Sequence, residues 1–361
     1  MRKVFKYNPK NVYRFISFRW LLILSLAFTS CNKDEIGPQG GEHVLLAIDP
    51  ESEGFFVINE GGFNTGNASL SYVDLTAQTV SNNSYFAIND EPLGDVFQSM
   101  NVINNDFYFV INNSQKIIIS DSLLTRMDTI AGLESPRYIC QVLSDKAYVT
   151  DLYGDIISIV DLNTNEIIGS ISVGGWTEEI VTVGNRVFVQ DNENSKLLVI
   201  NPETDLIENE IQLSEGISNM IVANDNSIWV LCDGGFVEPI NPKLFQIDTQ
   251  NFTVIQSFAF NSDEASPRYL TYNSVEDELY FYQDGIRKME TLATTLPSSA
   301  FIEYEIEYVY GLDFDDSLEI LVVSDAQSLG SQGVVKLFNA SGDFLNTFDV
   351  GVFPNGIFAM N

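Results

Sequence analysis

The chain repeats one strand pattern seven times. Each copy is a six-residue run of β-branched and aromatic residues that closes on a polar or turn-forming residue, which is typical of a β-strand followed by a turn. The copies are FFVINE (55–60), YFVINN (108–113), AYVTDL (147–152), VFVQDN (187–192), IWVLCD (228–233), LYFYQD (279–284) and ILVVSD (320–325). Their starts are 53, 39, 40, 41, 51 and 41 residues apart. Spacing of this kind indicates a repeat architecture with one structural unit per copy.

Three more strand patterns accompany each copy. Examples are LSYVDL (70–75), the alternating run EIIGSISV (166–173) and YICQVL (138–143). Four antiparallel strands in about forty residues form one blade of a propeller. The chain enters on a second-strand pattern and ends on the first-strand pattern NGIFAM (355–360), so we expect the last strand to pair with the first blade. The sequence therefore predicts an all-β, seven-bladed β-propeller of four-stranded antiparallel blades; six or eight blades would require a miscounted repeat.

The first thirty residues have the pattern of a secretory signal peptide. They contain six Lys and Arg residues and no acidic residue, followed by an apolar run over 20–28 and the small residues Thr29 and Ser30. The apolar run is too short to span a bilayer as a helix. Cys31 follows directly, as in a bacterial lipobox, and we expect its thiol to carry the lipid; the alternative is an ordinary cleavage site beside an unrelated cysteine. The predicted organisation is a signal peptide over 1–30, a lipidated tether over 31–44 and a propeller over 45–361.

The charge of the mature chain restricts its partners. Without the leader the chain has 12 basic against 50 acidic residues, a net charge near −38. Nucleic-acid binding is excluded because phosphate contacts need Lys and Arg. Anionic membrane surfaces repel such a chain, so contact with the membrane is expected through the lipid anchor only.

Residues for familiar catalytic chemistry are scarce. The one histidine, His43, lies in the predicted tether, so a serine triad, a histidine zinc site and a cysteine–histidine pair all lack an imidazole in the propeller. The acidic run 313–316 is expected in a turn between two strands rather than as a metal ligand set. Cys140 and Cys232 lie in apolar runs and are expected to be free thiols, with a disulfide as the alternative. We therefore predict no cofactor, no metal site and no enzymatic activity.

Loop length indicates where a ligand would bind. In a propeller, the loops joining strands two to three and four to one lie on the same face. Long second-to-third loops occupy 61–69, 234–242 and 326–333, and the fourth-to-first loops bring aromatic, amide and guanidinium groups to the same side. Such a concave, partly polar face suits a large ligand. The predicted ligand-binding residues are Asn59, Glu60, Phe63, Asn64, Asn67, Gln98, Arg137, Tyr138, Trp176, Arg268, Tyr269, Tyr310 and Asn355.

The tripeptide Pro-Arg-Tyr occurs twice, at 136–138 and 267–269, each time leading into a first strand. Two arginines at equivalent positions in a chain with so few basic residues favour a role in binding. The alternative is that each arginine pairs with blade carboxylates. For the aromatic residues, the alternative is packing at a blade edge.

The opening blade carries a family resemblance. The segment FVINEGGFNTGNASLSY (56–72), with its loop Asn59-Glu60-Gly61-Gly62-Phe63-Asn64 and Gly66-Asn67, resembles the first blade of the YncE-like surface lipoproteins of Bacteroidota. Within that group it is similar to the BtuG-type cobalamin-binding propellers. The residues Asn32-Lys33-Asp34-Glu35 resemble the acidic export signal of these lipoproteins.

The resemblance implies a location and a function. It implies a lipid-anchored protein of the cell outer membrane, exposed to the outside, that captures cobalamin or a related corrinoid and passes it to a TonB-dependent transporter. Only the loop 59–67 carries over from the family residue by residue. Two other functions remain open at this point: an adhesive propeller that binds protein or glycan, and a metal-dependent lactonase or lyase.

Overall fold

The repeated strand patterns form seven antiparallel sheets that are the blades of a ring. The computed structural model describes residues 53–235, 240–263, 265–328 and 330–359. Within these residues the all-β, seven-bladed propeller is confirmed. The predicted signal peptide, Cys31, the tether and His43 lie outside the described residues.

The strands of the first four blades follow the predicted patterns closely. Blade 1 contains β1 (Gly54–Asn59), β2 (Ser69–Asp74) and β3 (Thr79–Ser81), and a short helix α1 (Ser84–Asn89) follows it. Blade 2 contains β4 (Phe97–Ile103), β5 (Asp106–Ile111), β6 (Lys116–Ser120) and β7 (Arg126–Ala131). Blade 3 contains β8 (Pro136–Leu143), β9 (Lys146–Asp151), β10 (Ile156–Asp161) and β11 (Glu166–Ser172). Blade 4 contains β12 (Thr177–Val183), β13 (Arg186–Asp191), β14 (Lys196–Asn201) and β15 (Leu206–Gln212).

The remaining blades complete the ring. Blade 5 contains β16 (Ile217–Val222), β17 (Ile228–Cys232), β18 (Lys243–Asp248) and β19 (Thr253–Ala259). Blade 6 contains β20 (Arg268–Asn273), β21 (Glu278–Tyr282) and β22 (Ile286–Glu290). Blade 7 contains β23 (Val309–Asp315), β24 (Ile320–Asp325), β25 (Gln332–Asn339) and β26 (Phe344–Val352). The last strand, β27 (Pro354–Ala359), pairs antiparallel with β1 and becomes the inner strand of blade 1, as predicted.

Blade 6 departs from the four-stranded pattern. Its sheet has three strands, and the place of the outer strand is taken by a single bridge between Ile286 and Ile302. The backbone N–H of Ile302 donates to the carbonyl of Ile286 at 3.1 Å, and the reverse bond measures 3.0 Å. The segment 291–301 contains Pro297, which has no backbone N–H to donate to a ladder.

Both faces of the second strand of each blade are buried, which explains the continuous apolar runs of these strands. Side chains alternate between the two faces of a strand. In β1, Phe56 and Ile58 pack against blade 2, whereas Phe55 and Val57 pack against blade 7. Seven such apolar clusters occur among the described residues, one at each interface between neighbouring blades. The core is therefore a ring of interfaces.

The two cysteines of the propeller are free thiols, as expected. Cys232 is buried at the end of β17, and Cys140 is half-buried in β8 with its Sγ 3.5 Å from the hydroxyl of Thr182. Of the part of the chain that the structure describes, no helix is long and apolar enough to cross a membrane.

Phe109 tests the packing between blades 1 and 2. Its ring is fully buried and lies 5.4 Å from that of Phe97 and 5.8 Å from that of Tyr85. We expect Phe109→Ala to lower the free energy of unfolding by about 3–5 kcal/mol, because a cavity remains in a close-packed interface. Urea denaturation measures this. The matched control is Phe63→Ala, since Phe63 is 69% exposed and its loss should cost within about 0.5 kcal/mol. Equal losses would contradict the packing described.

Candidate functional site

Every inner strand carries a β-bulge at the same place. In each blade the register between the inner strand and its neighbour shifts within the first four residues of the inner strand. A bulge adds one residue and redirects a side chain, and bulges are frequent beside functional sites. The residues at the seven bulges are Gln98, Arg137 with Tyr138, Glu178 with Glu179, Ser218, Tyr269 with Leu270, Tyr310, and Asn355. We call this set the channel mouth, because the inner strands begin at that end of the central channel.

Hydrogen bonds join neighbouring inner strands all the way around the channel. Each of the seven blade interfaces has at least one such bond. Side chains donate to backbone carbonyls in three of them: Ser99 to Arg137 (2.6 Å), Thr182 to Gln141 (3.4 Å) and Asn355 to Gln98 (3.1 Å). Backbone N–H groups donate to side chains in three more: Leu270 to Asn219 (3.3 Å), Phe314 to Thr271 (3.0 Å) and Ile357 to Asp313 (3.2 Å). The seventh bond joins two side chains, from Asn219 to Glu179 (3.0 Å). These bonds provide hydrogen-bond partners for polar groups of the inner strands, which are partly removed from water inside the ring.

Arg137 forms an ion pair at the channel mouth. Its Nε donates to Oε2 of Glu178 at 2.7 Å, across the interface between blades 3 and 4. The indole N–H of Trp176 donates to the other oxygen of the same carboxylate. For Arg137 the structure therefore supports the alternative in which the arginine pairs with a blade carboxylate, and it also brings Arg137 and Trp176 together as the binding prediction requires.

Glu60 and Tyr310 connect blades 1 and 7 at the mouth. The hydroxyl of Tyr310 donates to Oε2 of Glu60 at 2.7 Å, and the ring of Tyr310 lies 5.1 Å from that of Phe353. Burial raises the pKa of Glu60, while the bond from Tyr310 and the charge of Arg137 lower it. Tyr269 donates its hydroxyl to the carbonyl of Val309 at 3.2 Å and has a left-handed backbone, with φ 58°.

Glu179 directs a second carboxylate from the same bulge towards blade 5. It accepts hydrogen bonds from Asn219 and Gln190, each at 3.0 Å, and from the backbone N–H of Met220. Burial raises the pKa of Glu179 to about 8, against the lowering effect of these donors. Consecutive carboxylates thus bond the blades on either side of blade 4, since successive residues of a strand face opposite ways.

A cavity of about 480 Å³ lies at the mouth between blades 3 and 5. Volumes of this order are typical of small-molecule sites. Its walls combine aromatic, acidic and backbone surface. The residues used below are Arg137, Tyr138, Trp176, Glu178, Glu193 and Glu215.

The loop that carries the family resemblance is braced by its own side chains. Oδ1 of Asn67 accepts the backbone N–H of Gly62 at 2.8 Å and also the hydroxyl of Thr65. Asn64 accepts a hydrogen bond from Asn113 of blade 2 at 3.3 Å. Phe63 is exposed at the tip. The described contacts of Asn64 and Asn67 are with the loop and with Asn113, so this part of the loop, unlike Glu60 at its start, is not joined to the channel mouth.

Two other predicted residues do not belong to the set of channel-mouth residues. Asn59 is 0% exposed, donates to the hydroxyl of Ser71 at 2.9 Å and accepts the N–H of Gly351 of blade 7 at 2.9 Å. These bonds give it a structural role between blades. Arg268 is exposed, and its Nε donates to Ser266 at 3.1 Å, so the two Pro-Arg-Tyr arginines have different partners. Gln98, Tyr138, Tyr269, Tyr310 and Asn355 all lie at the mouth bulges.

The carboxylates Glu178 and Glu179 and the hydroxyl of Ser218 were missed by the sequence reasoning. They are neither arginines nor aromatic residues, so the criteria applied to the sequence did not select them, although they occupy the same repeat position as Gln98 and Arg137. Alignment of the seven first strands would have found them. The expectation for the acidic run 313–316 is partly wrong: Asp313 and Asp315 lie in β23, and only Asp316 lies in the turn. Among the described residues, no three His, Cys, Asp or Glu side chains are grouped to hold a metal ion.

The fold and the mouth together define a β-propeller with polar and aromatic side chains at one end of its channel. A family model for a domain of unknown function, DUF5074, matches residues 53–356. The chain belongs to this family. A search of curated proteins gave no match.

Solved structures with the same fold come from several bacteria. A quinonprotein alcohol dehydrogenase-like protein from Bacteroides thetaiotaomicron is 18% identical with a TM-score of 0.68, over 86% of this chain and 79% of that one. A putative 6-phosphogluconolactonase from Bacteroides uniformis is 11% identical with a TM-score of 0.61, over 86% of this chain and 100% of that one. A protein from Lactobacillus plantarum is 13% identical with a TM-score of 0.64, over 85% and 99%. At these identities the likeness concerns the fold alone and argues neither for nor against catalysis.

Asn59 provides a test of its assigned structural role. We expect Asn59→Ala to lower the free energy of unfolding by about 1–3 kcal/mol, because it leaves buried hydrogen-bonding groups without partners. Urea denaturation measures the change. Asn64→Ala, which removes an exposed amide from the same loop region, should change it by less than about 0.5 kcal/mol. If Asn59→Ala left the free energy of unfolding nearly unchanged, the structural role would be wrong and Asn59 would again be a candidate ligand contact.

Asp313 gives the stability of the ring a pH dependence. Burial in the channel raises its pKa to about 7, partly offset by the N–H of Ile357. The folded state thus keeps a proton that the unfolded chain releases near its ordinary pKa of about 3.9, so the unfolding free energy falls as pH rises from about 4 to about 7. Asp313→Asn should flatten this part of the curve and be more stable than wild type at about pH 8 by about 1–3 kcal/mol. Unfolding curves for both proteins that stay parallel over this range would contradict the assignment.

Proposed function

We propose that this protein is a lipid-anchored, outer-surface binding module that captures a nutrient ligand at its channel mouth. The observation that carries the proposal is the set of seven bulges, which presents hydrogen-bonding and aromatic side chains around one opening. A pocket with convergent polar groups and aromatic walls is the usual form of a small-molecule site. The proposal includes anchoring through Cys31 and hand-over of the ligand to a TonB-dependent outer-membrane transporter, both of which rest on the family resemblance.

The proposed ligand is cobalamin or a related corrinoid. A corrinoid carries many side-chain amides, which can form hydrogen bonds with amides such as Gln98 and with the backbone. Its macrocycle and benzimidazole offer flat apolar faces to Tyr138 and Trp176. Such a ligand is wider than the cavity and would lie across the mouth with one edge inside it. Binding of this kind requires no histidine, so the single histidine of the chain is no obstacle.

Capture of a large ligand favours a rigid mouth. The hydrogen bonds between inner strands hold the mouth side chains in place before a ligand arrives, which lowers the conformational entropy lost on binding. The acidic character of the chain suits a ligand that is recognised through amides rather than through phosphate groups alone.

An adhesive role is the second candidate, and two exposed aromatic side chains favour it. Phe63 and Tyr153 are each 69% exposed on loops that join second to third strands. Exposed aromatic residues of this kind are frequent anchors in protein interfaces. Under this candidate the rim of loops, rather than the mouth, would contact the partner.

Calorimetric titration with cyanocobalamin tests the leading proposal. Trp176 is 37% exposed beside the cavity, and we expect Trp176→Ala to weaken binding about tenfold, as for a central aromatic anchor, with an unchanged melting temperature. The control Leu123→Ala removes an exposed side chain from a loop at the opposite end of the blades and should bind like wild type. Absence of binding at micromolar concentration would remove the corrinoid proposal. If Phe63→Ala instead abolished adhesion to host or bacterial surfaces, the result would support the adhesive role.

A further inference from the structure

One buried carboxylate at the channel mouth contacts two predicted binding residues at once. Glu178 accepts the Nε–H of Arg137 at 2.7 Å with one oxygen and the indole N–H of Trp176 with the other. Glu178 as a whole residue is 7% exposed. Trp176 directly precedes β12 of blade 4, whereas Arg137 belongs to blade 3. The side chain of Glu178 therefore connects two neighbouring blades.

These contacts fix the orientation of both partners. A long arginine side chain and an exposed indole each have several rotamers, and holding them in one costs entropy unless a strong bond does so in advance. Charge-assisted hydrogen bonds are among the stronger ones, and the low exposure of Glu178 reduces competition from water. Because Arg137 uses its Nε in the pair, its terminal nitrogens remain as donors towards the cavity that both residues line.

The charge balance restricts what those donors can accept. Glu178 neutralises Arg137, and Glu60 lies close enough to interact with the same guanidinium. The cavity wall also contains Glu193 and Glu215. An anionic ligand group near Arg137 would therefore meet repulsion, whereas a neutral carbonyl can accept an N–H bond without it.

We propose that Glu178 is a positioning residue that holds Trp176 and Arg137 as a unit for a flat ring bearing a neutral amide acceptor. The indole covers the ring, and the terminal N–H groups of Arg137 donate to the amide carbonyl. This inference rests on the proposed function, because it names the ligand group that the channel mouth selects.

The first test needs no ligand. Trp229 is fully buried, so in a Trp20→Phe background the tryptophan fluorescence that acrylamide quenches comes from Trp176. Glu178→Ala should raise the quenching constant and lower the fluorescence anisotropy, with Glu178→Gln between this variant and wild type. Glu208→Gln, which breaks a carboxylate–arginine pair on the outer strand β15 away from the mouth, should leave both readouts unchanged. Unchanged fluorescence in both Glu178 variants would overturn the positioning role.

The second test measures affinity by calorimetry. We expect Glu178→Gln to weaken cyanocobalamin binding about tenfold. Glu208→Gln is the matched control. Glu208 lies on the outer strand β15 and pairs with Arg186, so this variant also breaks a carboxylate–arginine pair but should bind like wild type. Among the monocarboxylic acids made by hydrolysing one side-chain amide of cyanocobalamin, at least one should bind wild type about tenfold more weakly, and Glu178→Gln should reduce that difference.

The outcomes separate the two proposals. If wild type does not bind cyanocobalamin but the fluorescence of Trp176 responds to Glu178, the corrinoid proposal fails and the positioning role stands. If wild type binds cyanocobalamin and each acid derivative equally well, the corrinoid proposal stands and selection for a neutral amide is overturned. If Glu178→Ala fails to fold, Glu178→Gln supplies both readouts, because it keeps the size of the side chain and one acceptor oxygen.

Discussion

The contact of each blade with the next is the interaction on which the rest of the molecule depends. Second strands such as β1 present apolar side chains to both neighbouring blades, and the seven apolar clusters lie at the seven interfaces. A blade by itself would expose both faces to water, so its stability requires two neighbours. In a ring every blade has two, provided that the ring closes. The pairing of β27 with β1 provides that closure and also covers an exposed strand edge.

This packing determines the geometry of the channel mouth. Inner strands are clamped between apolar interfaces, and hydrogen bonds connect them around the channel, so the bulge at the start of each strand is held on a rigid support. Buried charges at the mouth have partners: Glu178 has Arg137 and Trp176, and Glu179 has three donors. The polar groups there are costly to bury, and their bonds across blade boundaries offset that cost.

The sequence predicted the architecture well because the repeat carries it. Strand order, blade number and ring closure follow from patterns that recur seven times, and an error in one copy is corrected by the others. Side-chain placement was harder. Asn59 belongs to the most family-specific motif, yet its amide is turned into the interface with blade 7, where it bonds Gly351. That contact joins residues almost three hundred positions apart, and no local pattern reveals it. Glu178 was overlooked because a carboxylate in a chain this acidic attracts no notice, and only its burial beside Arg137 distinguishes it.

The shared bulge position distinguishes the start of each inner strand from the packed strands behind it. A redirected residue at the start of an inner strand lies at the channel mouth, although some of these residues, such as Leu270, also pack in an apolar cluster. Seven such positions, one per blade, are slots on a shared frame, and some of them are coupled, as Glu178 is to Arg137. A related propeller could acquire a different ligand by exchanging side chains in these slots while leaving the interfaces untouched. Sequence comparison within the family should therefore show its variation concentrated at the slots, with Glu178 retained wherever its two partners, the arginine of blade 3 and the tryptophan just before β12, are both present.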